Sequence, residues 1–174
     1  AAALLLSPYV PMLFMGEEYG ETAPFFYFVS HSDPKLIEAV RKGRSEEFSY
    51  LKGEGEPPDP QAEETFLKSK LRWEKRKQGR HAAILSWHKR LIALRSDIPA
   101  LRESAKENLR IYPVSDRSLV IHRHDAERKD HVLCMFNFGQ SEVVFKIPEI
   151  AKTWNTILDS GSDDLPSNPF EAGS

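Results

Sequence analysis

Residues 7–21 read Ser7-Pro8-Tyr9-Val10-Pro11-Met12-Leu13-Phe14-Met15-Gly16-Glu17-Glu18-Tyr19-Gly20-Glu21. An apolar run of strand length, Val10 to Met15, opens on a turn-forming proline and stops at Gly-Glu-Glu. A near-continuous apolar run is the pattern of a parallel strand covered on both faces, as in a barrel whose strands carry polar residues to its mouth. Such a strand needs a neighbour on each edge. Only a few residues precede this one, so the reading expects the tail of a larger protein.

Outward from this stretch, 174 residues allow one domain, or a small domain with a piece of another. Hydrophobic residues at 40% and charged residues at 29% are ordinary for a globular protein and argue against wholesale disorder. A net charge of -2 gives no global attraction to nucleic acid or an anionic membrane. The single cysteine, Cys134, excludes an intramolecular disulfide and reads as a small buried core residue, with a reducing cytoplasm as the natural compartment. No apolar stretch approaches the roughly 20 residues of a membrane span. Ala1 to Leu6 lacks a basic flank and a cleavage pattern, and reads as the end of a buried helix rather than a signal peptide.

The rest divides by periodicity. Asp33-Pro34 is a cap followed by proline at the first helical position, and Gly43 is the expected stop, predicting a helix over 34–42. Lys52 to Pro60 is an irregular connector whose Gly-Glu-Gly is no phosphate loop, since no strand precedes it. Asp59-Pro60 opens a second helix to about Arg76. A third runs from about Arg80 to Arg95, with Ile84, Leu85, His88, Leu91 and Ile92 expected as one buried stripe. Beyond residue 105 the period turns to short strands: 109–114, 119–123, 132–138, 142–147 and 154–158. The expected fold class is therefore α/β plus all-β. Residues 1–98 form one part and residues 99–174 an antiparallel module of about five strands.

Candidate chemistry is sparse. Glu17-Glu18 is the obvious carboxylate pair, yet glycosidic hydrolysis with retention needs two carboxyls about 5–5.5 Å apart facing one bond. Neighbours on an extended chain point to opposite sides, so these two shape or support a site rather than form the dyad. His122 and His124 share one face of a strand, but a third metal ligand at useful spacing is not evident, and a surface strand end accounts for them. His81 and His88 read as core-edge packing. His31-Ser32-Asp33 cannot form a triad from consecutive residues, and Asp33 is a cap. The basic run from Lys68 to Arg80 around Trp73 spreads around a helix, where cations near its C-terminus suit the dipole better than nucleic acid does. Phe25 to Phe28 could stack on sugars or fill a core. No cofactor and no metal is expected.

The motif at 7–21 resembles the last barrel strand of the α-amylase-type glycoside hydrolases (family thirteen). Pro24-Phe25-Phe26-Tyr27-Phe28, His31-Ser32-Asp33, Val40-Arg41-Lys42-Gly43-Arg44, Glu47-Phe48 and Phe66-Leu67-Lys68-Ser69-Lys70-Leu71 with Trp73 resemble the branch of that family that releases trehalose from trehalose-ended maltooligosaccharides. Leu133 to Phe138 is similar to the β-sandwich that follows such barrels.

The resemblance implies the last β/α unit of a TIM-type barrel with a helical insert over 1–98. Over 99–174 it implies an amylase-type β-sandwich short of its closing strand. It implies a retaining hydrolase whose Asp nucleophile, Glu acid/base and second Asp all lie before residue 1, so that the isolated chain is inert. Substrate-binding candidates are Glu17, Glu18 and Tyr19, in the loop at the substrate end. The partner is a maltooligosaccharide-type substrate, with no nucleic acid and no membrane, and self-association is open to the isolated chain. The rival expectation is a non-catalytic carbohydrate-binding or interaction sandwich, with Tyr112 and Trp154 on an exposed face.

Overall fold

A computed structural model describes residues 1–50, 57–147, 150 and 153–161. It has two compact units, Ala1–Gly20 with Arg76–Ser174, and Glu21–Lys75.

In the first unit, helix α1 (Ala2–Leu5) leads into residues 10–14, which carry no regular secondary structure, and then a 3₁₀ turn, Glu17–Tyr19. Helix α4 (Gly79–Asp97) packs on both α1 and the turn. It ends at Ile98, whose φ of -91° and ψ of 117° are the extended values that a following proline favours. Pro99 then starts the short helix α5 (Pro99–Arg102). Three antiparallel strands follow in the order β1 (Leu109–Ser115), β2 (Ser118–His124) and β3 (His131–Asn137). Ile121 pairs with Ile111 on one side and Cys134 on the other. Pro113, which cannot donate to a ladder, lies in β1, where the register shifts before Ser115.

The core joins these pieces through Leu5, Tyr19, Leu91, Ala100, Leu101, Val120 and Cys134. Burial pushes the Cys134 thiol up to about 11, consistent with an inert core role. Among the described residues the largest fully buried side chain is a charged one, Arg123, at 2% exposure. Its guanidinium donates to the carbonyl oxygens of Leu6 (2.9 Å), Ser7 (3.2 Å) and Glu103. Arg95 donates to the carbonyls of Leu5 (2.7 Å), Ser7 (2.5 Å) and Tyr9 (2.7 Å). Two arginines thus satisfy the carbonyls left open where α1 ends.

The second unit holds helix α2 (Pro34–Tyr50), helix α3 (Glu63–Lys68) and a 3₁₀ turn that begins at Trp73. Asp33 caps α2, accepting from the Lys35 amide at 2.9 Å. His31 is tied through its backbone to Gln61, donating to Oε1 at 3.2 Å and accepting from Nε2 at 2.8 Å. Glu21, its side chain only 5% exposed, accepts from the amides of Thr22, Ala23 and Arg72 and faces the Lys75 ammonium at 3.4 Å.

Several elements differ from the sequence reading. Residues 10–15 are not a covered strand: Val10 and Met12 are each 87% exposed, because no described strand lies beside them. Helix α2 runs through Gly43 to Tyr50, and the helix expected over 60–76 is interrupted after Lys68. There Ser69 turns its hydroxyl to the Thr65 carbonyl (2.9 Å) and accepts from the Phe26 amide (3.1 Å). Only three of the five expected strands form. Residues 142–147 and the described stretch 154–158 carry no regular structure and enter no described ladder. A sandwich is therefore not seen among the described residues. Residues 162–174 and part of the connector lie outside them.

Candidate functional site

The Gly16–Gly20 turn is built by its own carboxylates. Gly16 enters with φ 89° and Gly20 leaves with φ 66°, both left-handed values that glycine adopts without strain. Glu17 folds back so that its carboxylate accepts from the Phe14 amide at 3.1 Å, and Glu18 accepts from the Gly16 amide at 2.9 Å. The two candidate acids therefore close a local turn, and each has one oxygen committed to backbone. Adjacent residues on a 3₁₀ turn still cannot make a facing pair across one glycosidic bond. Glu17 is exposed and Glu18 half-buried, while Tyr19 is fully buried.

Helix α4 holds the turn from beneath. His81 Nδ1 lies 2.9 Å from the Tyr19 carbonyl oxygen, which can only accept, so the ring carries its proton there. The same ring meets the Tyr19 ring edge-on, with centroids 6.5 Å apart. Ile84 lies close enough to Gly20 that a Cβ there would approach its Cδ1 to 2.9 Å. His81 and Ile84, three positions apart on one helix face, thus hold Tyr19 and Gly20 in turn. His81 was legible only as packing in the sequence, since a histidine reaching a carbonyl sixty residues away leaves no local signature.

Other candidates fall elsewhere. The aromatic stretch is not core: Phe25, Tyr27 and Phe28 are 60%, 47% and 39% exposed. The Arg44 guanidinium lies over the Tyr27 ring at 5.1 Å, and Phe28 meets Phe66 edge-on. Several cations of the basic run are engaged, with Lys68 on Glu64 at 2.6 Å and Lys75 on Glu21. His122 and His124 are not a surface strand end, being 4% and 5% exposed. No group of residues able to hold a metal ion is found among those described. No described helix is long and apolar enough to cross a membrane.

No protein-family model matches the chain. A malto-oligosyltrehalose trehalohydrolase of Mycobacterium tuberculosis is 39% identical over 169 residues, covering 95% of this chain and 28% of that protein. Enzymes of the same name from Saccharolobus solfataricus and Deinococcus radiodurans are 50% and 46% identical over 97 and 110 residues. Those matches cover 56% and 62% of this chain, and 15% and 18% of the relatives. A crystal structure from Salmonella typhimurium, assigned as an alpha amylase, superposes with a TM-score of 0.68 at 34% identity, over 84% of this chain and 25% of that one. The chain spans less than a third of the length of the curated relatives it matches.

Proposed function

We propose, from the premise that this chain is a relative of the malto-oligosyltrehalose trehalohydrolases and so of the α-amylase-type glycoside hydrolases, that it is the C-terminal part of one such enzyme. The whole enzyme hydrolyses, with retention, the α-1,4 bond next to the terminal trehalose of maltooligosyl trehalose and releases trehalose. This chain contributes the last strand and helix of a TIM-type barrel, an inserted helical unit and the β module beyond. Its Gly16–Gly20 turn lies at the substrate end, with Glu17, Glu18 and Tyr19 supporting the sugar site. The catalytic carboxylates belong to parts of the enzyme outside these residues.

One observation carries the reading: an apolar stretch of strand length is largely exposed, with only Pro11 and Leu13 half-buried. Val10, Met12, Phe14 and Met15 are all exposed, beside a turn held in a single geometry by four named contacts. Apolar surface of that kind is stabilised by burial at about 25 cal/mol per Å², so it is made for partners. In the isolated chain the same surface favours self-association. The module alternative draws less support, because Tyr112 and Trp154 are half-buried rather than displayed.

Complementation tests this. The Saccharolobus solfataricus enzyme is truncated by removing the region that matches this chain, and trehalose release from maltooligosyl trehalose is measured. This chain alone should release none. Adding it to the truncated enzyme should restore release. If the relative's own excised region restores release and this chain does not, the assignment fails.

A further inference from the structure

Three histidines meet at the turn end of the β2–β3 hairpin, beside the loop 125–130 that joins the two strands. His122 and His124 lie on one face of β2, and His131, paired with His124 in the register, brings a third ring from β3. Ring centroids are 5.3, 5.8 and 5.9 Å apart. The protons can be assigned from what each ring faces. His131 Nε2 lies 3.1 Å from the Arg128 carbonyl and His124 Nδ1 lies 2.8 Å from the Asp125 carbonyl. Carbonyls accept only, so both nitrogens carry hydrogen. In the neutral ring, His131 Nδ1 is then a bare lone pair, and His122 Nε2 donates to it at 3.0 Å. That leaves His122 Nδ1 as a lone pair, buried and without a hydrogen-bond partner.

We propose that His122, His124 and His131 form a proton-accepting cluster that makes this hairpin acid-sensitive, chained together while neutral and uncoupled when a proton enters. A proton on His131 Nδ1 removes the acceptor of the 3.0 Å bond. A proton on His122 Nδ1 creates a buried cation with no acceptor. The surroundings offer little relief. On β1, Arg110 pairs with His122 and adds a like charge. Asp125 lies near His131, but one oxygen already accepts from the Lys129 and Asp130 amides. Asp130 is engaged by the Ala100 amide, and Lys129 by Glu127. Arg123 lies on the opposite face of β2 by strand alternation. From α5 and the residue after it, Arg102 is exposed and the Glu103 carboxylate accepts from Asn108.

Burial, then the neighbouring His131, His124 and Arg110, holds His122 below the ordinary histidine range. The unfolded chain therefore takes up a proton near pH 6.5 that the folded chain refuses. Stability is flat above that pH and falls below it, by up to about tenfold in the folded-to-unfolded ratio per pH unit for one proton.

The test uses the full chain. Imidazole nitrogen NMR at pH 7.5 should show hydrogen on His131 Nε2, His124 Nδ1 and His122 Nε2. In urea unfolding, the wild-type chain should lose more of its folded-to-unfolded ratio between pH 7.5 and 5.5 than His122→Gln loses, by up to about tenfold. Equal losses would overturn the proposal. If the variant does not fold, wild-type NMR decides, and a His122 that titrates as a free imidazole would equally overturn it. So would one equivalent of zinc chloride shifting all three rings and abolishing the acid loss, which would make the cluster a metal site.

Discussion

Gly20 turns left-handed at φ 66°, and its missing Cβ leaves the space that Ile84 Cδ1 fills. Gly20→Ala meets both costs at once, the left-handed penalty of about 1–2 kcal/mol and an overpacked contact. The expected loss in urea unfolding is about 2–3 kcal/mol. Adding Ile84→Ala should recover only the steric share, and full recovery would show that the backbone is not strained. Arg123 poses the opposite problem, a buried cation serving carbonyls instead of a carboxylate. Burial and the nearby Arg95 both lower its proton affinity. Arg123→Met leaves the oxygens of Leu6 and Glu103 short of a donor, while Ser7 keeps Arg95, with an expected cost of about 3 kcal/mol. A change within about 0.5 kcal/mol would mean that water or Arg95 replaces it.

At the scale of the element, α2 separates a local signal from its context. Gly43 in sequence is an ordinary helix stop, yet the helix continues to Tyr50, with Lys42–Glu46 at 3.9 Å and an Arg44–Glu47 pair spanning the site. A Cβ at Gly43 would meet nothing within 4 Å. Gly43→Ala should therefore stabilise the chain by about 0.5–1 kcal/mol, whereas at a true left-handed stop it would destabilise. The sign of that change, read by thermal unfolding, decides between the two. Helix α4 and strands β1 to β3 were legible because long periodic stripes and alternating runs carry their own signal. The cap at Asp33 was legible for the same local reason. The interruption at Ser69 was not, since the hydroxyl that ends α3 is recruited by the Phe26 amide from forty-three residues away.

For the whole molecule, surface made for other partners should be energetically idle here. Val10→Lys and Met12→Lys, at positions 87% exposed, should each shift unfolding by less than about 0.5 kcal/mol. In the complemented enzyme the same changes should abolish trehalose release. Losses of several kcal/mol in the isolated chain would mean that residues 10–15 already have a core in solution. The pattern of residues 7–21, by itself, determined that an apolar run ends in a Gly-Glu-Glu turn, because turn chemistry is written in neighbouring residues; that the run forms no strand here was decided by the absence of a described strand beside it. Only the tertiary structure decided that Glu17 and Glu18 each turn one oxygen to a backbone amide, that His81 holds Tyr19, that Arg123 is buried and that three histidines converge. Each of those depends on which distant group arrives within 3 Å, and no local pattern encodes that.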